Sequence, residues 1–205
     1  MLCVHHLRVG RALFTLWLIE ELGLEYELIT YDRNPKTRRA PPELRAVHPL
    51  GKSPLIEDDG LLLSESGAIA AYLVEHHDPK GTLAPPADDK HARAKWTQWL
   101  HYSEGSAVLP VMMRLLLASE QGEAKRIDAF SAAEVTLQLD YIAAELGSND
   151  FLLGDRLQAP DIGVAFVISM AKNLGLTAGY PTLEAYLKRL TSRPAFVAAM
   201  QKSGG

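Results

Sequence analysis

His48-Pro49-Leu50-Gly51-Lys52-Ser53-Pro54-Leu55-Ile56-Glu57-Asp58-Asp59-Gly60, continued by Leu61-Leu62-Leu63-Ser64-Glu65-Ser66-Gly67-Ala68-Ile69, is the stretch that decides how this chain folds. Two short apolar runs, residues 54–57 and 61–63, flank Asp59-Gly60, a dipeptide that favours a tight hairpin. The runs are predicted to pair antiparallel, and helical spacing follows over residues 65–77. Upstream, residues 2–5 and 26–31 read as strands, with a helix over residues 10–22 between them. Gly23 stops that helix and Asn34-Pro35 breaks the chain after the second strand. A strand–helix–strand unit makes its strands parallel, so the sheet is predicted to be mixed and four-stranded, in an α/β unit over residues 1–78.

Breakers and polar residues then cluster in Asp78-Pro79-Lys80-Gly81 and in Ala84-Pro85-Pro86-Ala87-Asp88-Asp89, which marks a linker at residues 79–88. Beyond it no strand pattern is found, and residues 89–205 are predicted to form an all-α domain, a helical bundle. Trp96, Trp99, Leu100, Met113, Leu116 and Leu117 recur at helical spacing, as do Ile127, Phe130, Leu137 and Tyr141, with Glu120 to Glu123 interrupting them. Pro110 falls inside the first of these long helices and is expected to kink it. A third helix over residues 160–173 is apolar on almost every side and belongs at the centre, with shorter helices at 182–191 and 194–201.

Composition narrows the function classes. The 205 residues are 47% apolar and 22% charged, an ordinary globular balance. Twenty-one basic against 25 acidic side chains leave a net charge of −4, the wrong sign to attract nucleic acid or an anionic membrane. The single Cys3 excludes an internal disulfide, a C-x-x-C pair and multi-cysteine zinc sites, which fits a reducing compartment. Residues 1–6 do not read as a signal peptide, and no window reaches the ~20 apolar residues a bilayer span needs, so a cytoplasmic location is expected. No metal is expected either: His5 and His6 are strand neighbours facing opposite sides, and His76-His77 lacks the i, i+4 spacing of a helical zinc site and reads as helix-end solvation.

The 48–60 run together with Leu63-Ser64-Glu65-Ser66-Gly67-Ala68-Ile69 resembles the glutathione-binding signature of cytosolic glutathione transferases: Asn-Pro-x-Gly-Lys-x-Pro, an acidic hairpin, then Glu/Gln-Ser opening a helix. The resemblance extends over the whole chain. Leu16 to Leu24 looks like the family's first helix, and Leu153-Gly154-Asp155 to Ala159-Pro160-Asp161-Ile162 is similar to the signature of its C-terminal domain. Trp99 to Ser106 most resembles a bacterial and fungal subgroup. This implies a thioredoxin-like N-terminal domain, a helical C-terminal domain, a homodimer, glutathione as co-substrate and a small hydrophobic electrophile as its partner.

The resemblance also implies roles residue by residue. Pro54 corresponds to the family's cis-proline, which turns the Ser53 main chain toward the cysteinyl backbone of glutathione. Glu65 would accept from the γ-glutamyl ammonium, Ser66 and its helix N-terminus would receive the carboxylate, and Lys52 would lie near the glycyl carboxylate. As a plainer reading, Ser64 or Ser66 caps the helix and Glu65 complements its dipole. The electrophile pocket is expected between the domains, lined by the 7–13 loop and by His101, Tyr102, Ser106, Met112 and Met113. Asp161 matches a buried aspartate in a capping box whose capping Ser or Thr is replaced by Gln158.

One departure concerns the thiol. Where the related subgroup reads Asn-Asn-Ser-Arg-Ser, this chain has Gly10 and Ala12 in place of the serines and keeps Arg11. Thiolate stabilisation is then expected from the backbone N–H groups of Gly10, Arg11 and Ala12 at a helix N-terminus, with the Arg11 guanidinium nearby. The alternative is a catalytically weak or silent glutathione-binding regulatory protein on the same fold; peroxidase and isomerase activities also occur in the family.

Overall fold

The computed structural model of the chain describes residues 1–118 and 124–204, so the interruption at Glu120 to Glu123 lies outside the described residues. The chain divides into two compact units: Met1–Lys80 with Ser192–Gly205, and Gly81–Thr191.

In the first unit, strands β1 (Leu2–Leu7), β2 (Tyr26–Tyr31), β3 (Leu55–Asp58) and β4 (Leu61–Ser64) form one sheet in the order β2-β1-β3-β4. β1 and β2 run parallel and the other pairs antiparallel, as the hairpin and strand–helix–strand patterns predict. Helix α1 (Ala12–Leu22) ends on Gly23 at φ 66°, a left-handed conformation that costs glycine little. Helix α3 (Ser66–His77) follows β4. A short helix, α2 (Pro42–Val47), was not anticipated; its one buried side chain, Leu44, packs with Leu7 and Leu55.

Alternation along β1 sends His5 and His6 to opposite faces. His5 is buried, with Nδ1 at 2.8 Å from the Tyr31 hydroxyl and Nε2 at 2.8 Å from a Glu57 carboxylate oxygen. Cys3 is half-buried, and burial, followed by the negative charges of Glu27 and Glu57, pushes its thiol up, away from reactive thiolate. His77 is not simply solvated at the helix end: its Nε2 lies 2.7 Å from buried Asp58, which also accepts from the Tyr72 hydroxyl at 3.0 Å.

The last helix, α9 (Pro194–Ser203), packs with the first unit, where the sequence pattern placed it in the second. The cause is a set of contacts to α1. Arg193 donates through two nitrogens to Glu21 at 2.6 and 2.8 Å, Lys202 pairs with Glu20 at 2.6 Å, and Phe196 meets the Trp17 ring edge-on at 5.2 Å.

The second unit is helical: α4 (Lys90–Tyr102), α5 (Val108–Leu117), α6 (Lys125–Leu146), α7 (Ala159–Asn173) and α8 (Pro181–Thr191). A π-helical turn, Ser103–Ala107, separates α4 from α5. Pro110 explains its position: a proline ring inside a helix clashes with the carbonyl of residue i−4, here Ser106, and offers that carbonyl no N–H. The π turn is also where α7 comes close, since a Cβ on Gly163 would lie 2.7 Å from Ser103 Oγ.

Helix α7 is central, and its N-terminus is organised by Asp161, which is fully buried. Asp161 Oδ2 accepts from the Gln158 N–H at 2.8 Å, while Oδ1 accepts from the Leu152 N–H at 2.9 Å and the Tyr186 hydroxyl at 2.6 Å. Gln158 holds the N-cap position, but its Oε1 is buried without a hydrogen-bond partner among the described residues. Replacing it by serine, whose shorter side chain suits the cap and removes the orphaned carbonyl, is expected to stabilise by about 1 kcal/mol. A lower melting temperature for Gln158→Ser would contradict this capping role.

Candidate functional site

The site grows out of strand register. β1 pairs with β3 so that His5 stands opposite Leu55, and β3 pairs with β4 so that Leu55 stands opposite Ser64. The C-terminal end of β1, the N-terminal end of β3 and the C-terminal end of β4 therefore lie side by side at one end of the sheet. Each continues into a segment singled out by sequence: the loop before α1, Lys52 to Pro54, and Glu65-Ser66.

The Ser53–Pro54 peptide bond is cis. The Ser53 hydroxyl donates to the His5 carbonyl at 2.7 Å and accepts from the Leu7 N–H at 3.1 Å. Its side chain is thus committed to bracing the loop against β1, and what it can offer a ligand is its main chain. Lys52 is exposed beside it. Glu65 has φ 74° and ψ 118°, a conformation rare for a residue with a side chain, and it is exposed. Strain of this kind, of order 1–3 kcal/mol, is typical of ligand clamps. Ser66 is the first residue of α3, where backbone N–H groups lack partners one turn back and the helix dipole favours an anion.

On the other side of Ser53, the loop leads from Leu7 to α1, whose N-cap is Arg11. Val9 has φ 57° and is 70% exposed, an unusual conformation for a β-branched side chain. Gly10 and Arg11 are half-buried and Ala12 is buried. No hydroxyl or thiol side chain occurs in Arg8-Val9-Gly10-Arg11-Ala12.

Sequence reasoning did not find what holds this loop. The Arg33 guanidinium donates to the Arg8 carbonyl through Nε at 3.0 Å, to the Val9 carbonyl through Nη2 at 3.1 Å, and to the Arg38 carbonyl through Nη1 at 3.1 Å. Arg8 pairs with Asp32 at 3.0 Å and donates to the Ser203 carbonyl at 3.1 Å. Burial, then the neighbouring Arg38 charge, draws the Arg33 pKa below its ordinary value. No spacing rule could reveal the Arg33 contacts, because the acceptors are backbone carbonyls.

In the second unit, His101 and Tyr102 end α4, Ser106 lies in the π turn, and Met112 and Met113 sit on α5. Tyr102 donates to Gln138 at 2.6 Å and packs edge-on against Trp99 and Tyr141, so its hydroxyl is committed within the unit. Met113 lines an open groove of about 710 Å³ with Lys125, Arg126, Ile127 and Phe130.

Comparison with known proteins identifies the family of both units. Residues 3–75 match the glutathione S-transferase N-terminal domain, and residues 106–194 match the glutathione S-transferase C-terminal domain. Glutathione S-transferase 1 of Saccharomyces cerevisiae is 32% identical, with 98% of this chain and 94% of the relative aligned. Glutathione S-transferase 3 of Schizosaccharomyces pombe is 31% identical, covering 98% of this chain and 88% of the relative. The crystal structure of a glutathione S-transferase from Actinobacillus pleuropneumoniae superposes with a TM-score of 0.88 at 30% identity, over all of this chain and 94% of the other.

Proposed function

Because the chain belongs to the glutathione S-transferase family, we propose that it binds glutathione at this end of the sheet and adds the thiolate to small apolar electrophiles. The observation that carries the reading is the register-enforced meeting of the cis Ser53–Pro54 loop, Glu65-Ser66 and the loop before α1. In it, the Ser53 main chain pairs with the cysteinyl backbone, as a strand edge receives one more residue. Glu65 accepts from the γ-glutamyl ammonium, and the α3 N-terminus with the Ser66 hydroxyl takes the adjacent carboxylate. Lys52 faces the glycyl carboxylate as a mobile point charge.

The chemistry needs the thiolate, since a free cysteine thiol has a pKa of about 8.5 and its neutral form is a poor nucleophile. The proton leaves to solvent. The sulfur lone pair then forms the S–C bond, and either a leaving group departs with its electron pair or, in addition to an activated alkene, the neighbouring carbon takes up a proton. The N–H groups of Gly10, Arg11 and Ala12, with the Arg11 charge, stabilise the sulfur anion. Met113, one of the residues expected to line the electrophile pocket, borders an apolar groove in the second unit, which supports an apolar electrophile. A homodimer belongs to the same reading, as the family resemblance implies.

A second reading, a glutathione-binding protein with little turnover, is favoured by the absence of a hydroxyl or thiol side chain over residues 8–12. Retention on immobilised glutathione followed by an assay with a generic aromatic electrophile separates them: binding without turnover supports the second. For the first, Arg11→Ala is expected to raise the apparent pKa of the pH–rate profile, because a nearby positive charge favours the thiolate. An unchanged profile removes Arg11 from the mechanism.

A further inference from the structure

Arg33 stands behind the loop that leads into α1, and its bonds determine which way the peptides of that loop face. The C=O and N–H of a trans peptide unit point in opposite directions. Since Arg33 takes the Val9 carbonyl at 3.1 Å, the N–H of Gly10 in the same peptide unit points away from the guanidinium; since it takes the Arg8 carbonyl at 3.0 Å, so does the N–H of Val9. The intervening Val9 sits at φ 57°, a conformation its branched side chain opposes and the flanking bonds hold.

Gly10 fits this device. A Cβ at residue 10 would lie 3.0 Å from Arg33 Nη2 and 3.5 Å from the Leu7 carbonyl, so any side chain there presses on the guanidinium. The segment carrying Arg33 is itself ordered: the Asn34 side chain accepts from the Lys36 and Thr37 N–H groups at 3.0 and 2.9 Å, and Arg33 Nη1 closes onto Arg38 at 3.1 Å. Its charged neighbours are Asp32, paired with Arg8, and Arg38.

We propose that Arg33 is a positioning residue for thiolate formation: by holding the carbonyls of Arg8 and Val9 it aims the Gly10 N–H at the glutathione sulfur, a job that in this chain takes the place of a side-chain hydroxyl at residue 10. This rests on the glutathione-binding reading of the same site. The guanidinium does not touch sulfur; it fixes the donor that does. A planar fork that meets two carbonyls at once cannot be copied by the single point charge of lysine.

The test uses the full chain and glutathione itself. Wild type, Arg33→Gln and Arg33→Lys are titrated with glutathione by calorimetry, and the pKa of the bound thiol is read from thiolate absorbance against pH. Both variants are expected to keep glutathione affinity within about threefold, since Ser53, Glu65 and Ser66 are untouched, while the bound-thiol pKa rises by about one unit, a tenfold smaller thiolate fraction well below the pKa. At saturating glutathione, the loss of kcat and of kcat/KM for the electrophile should fade as pH rises past that value, and added guanidinium ion should restore part of it in Arg33→Gln but not in wild type. An unchanged thiol pKa in a folded variant overturns the proposal, as does a loss of turnover equal at every pH. Wild type that fails to bind glutathione overturns the underlying reading instead, and that outcome is visible before any variant is made.

Discussion

Replacing both Glu65 and Ser66 by alanine is expected to weaken glutathione binding by at least a hundredfold while leaving the melting temperature nearly unchanged. In the proposed binding mode the two residues receive the two ends of one amino-acid group, and hydrogen bonds to charged groups contribute about 1.5–3 kcal/mol each. Losing both removes about 3 kcal/mol or more, and every ~1.4 kcal/mol is tenfold in affinity. Stability should not follow, because Glu65 is exposed and its side chain does not cap the helix. Its backbone, at φ 74°, is strained with any side chain and slightly less so with a smaller one. Glu65→Gln is the informative control: it keeps an acceptor but loses the charge that an ammonium prefers, so its affinity should fall between wild type and the double variant. Calorimetric titration with glutathione measures all three; a double variant that binds as wild type does would move the γ-glutamyl site elsewhere.

Asp161→Ala is expected to be the most destabilising single change considered, by about 4 kcal/mol. The carboxylate is fully buried and satisfies the N–H groups of Gln158 and Leu152 and the hydroxyl of Tyr186. Alanine orphans three buried donors at roughly 1–3 kcal/mol each. For a chain of this size 1 kcal/mol moves the melting midpoint by about 2–4 °C, so a drop of about 8–16 °C should be seen. Tyr186 gives the check on mechanism. Burial, then the adjacent Asp161 charge, pushes its phenol well above the ordinary value, so it stays a protonated donor at any physiological pH. Tyr186→Phe removes donor and partner need together and should cost less than Asp161→Ala. Their double variant should fall short of the sum, because the two changes break the same bond. Glutathione affinity of the folded Asp161→Ala protein should be unaltered, since the residues proposed to bind glutathione belong to the other unit.

How much of this was legible in the sequence varies with the kind of interaction. Asp59-Gly60 and the strand-like runs at residues 2–5 and 26–31 are local signals, and the sheet they predict is the sheet that forms. Helix α2 carries little signal in the sequence, because it is six residues long, too short for a helical period to show, and opens on Pro42, whose missing N–H costs nothing in the first turn. The period of the final helix says that it packs, not on what; its partners, Glu20 and Glu21, lie at the opposite end of the chain. Pro110 foretold a disturbance but not its form, a π turn over Ser103–Ala107. In the site, side chains in a motif were readable, and Arg33 was not, since its targets are main-chain oxygens brought near by the parallel pairing of β1 and β2.

The docking of α9 on α1 has a consequence for how the molecule comes into being. A chain leaves the ribosome from its N-terminus, and residues 81–191 must emerge before the helix that completes the first unit does. Until residues 192–203 arrive, Trp17, fully enclosed in the folded protein, lacks its ring contact with Phe196, and Arg8 has no Ser203 carbonyl to hold. The loop before α1 therefore gains its last contacts only after residues 192–203 have emerged, so the first unit is completed later than the synthesis of the second.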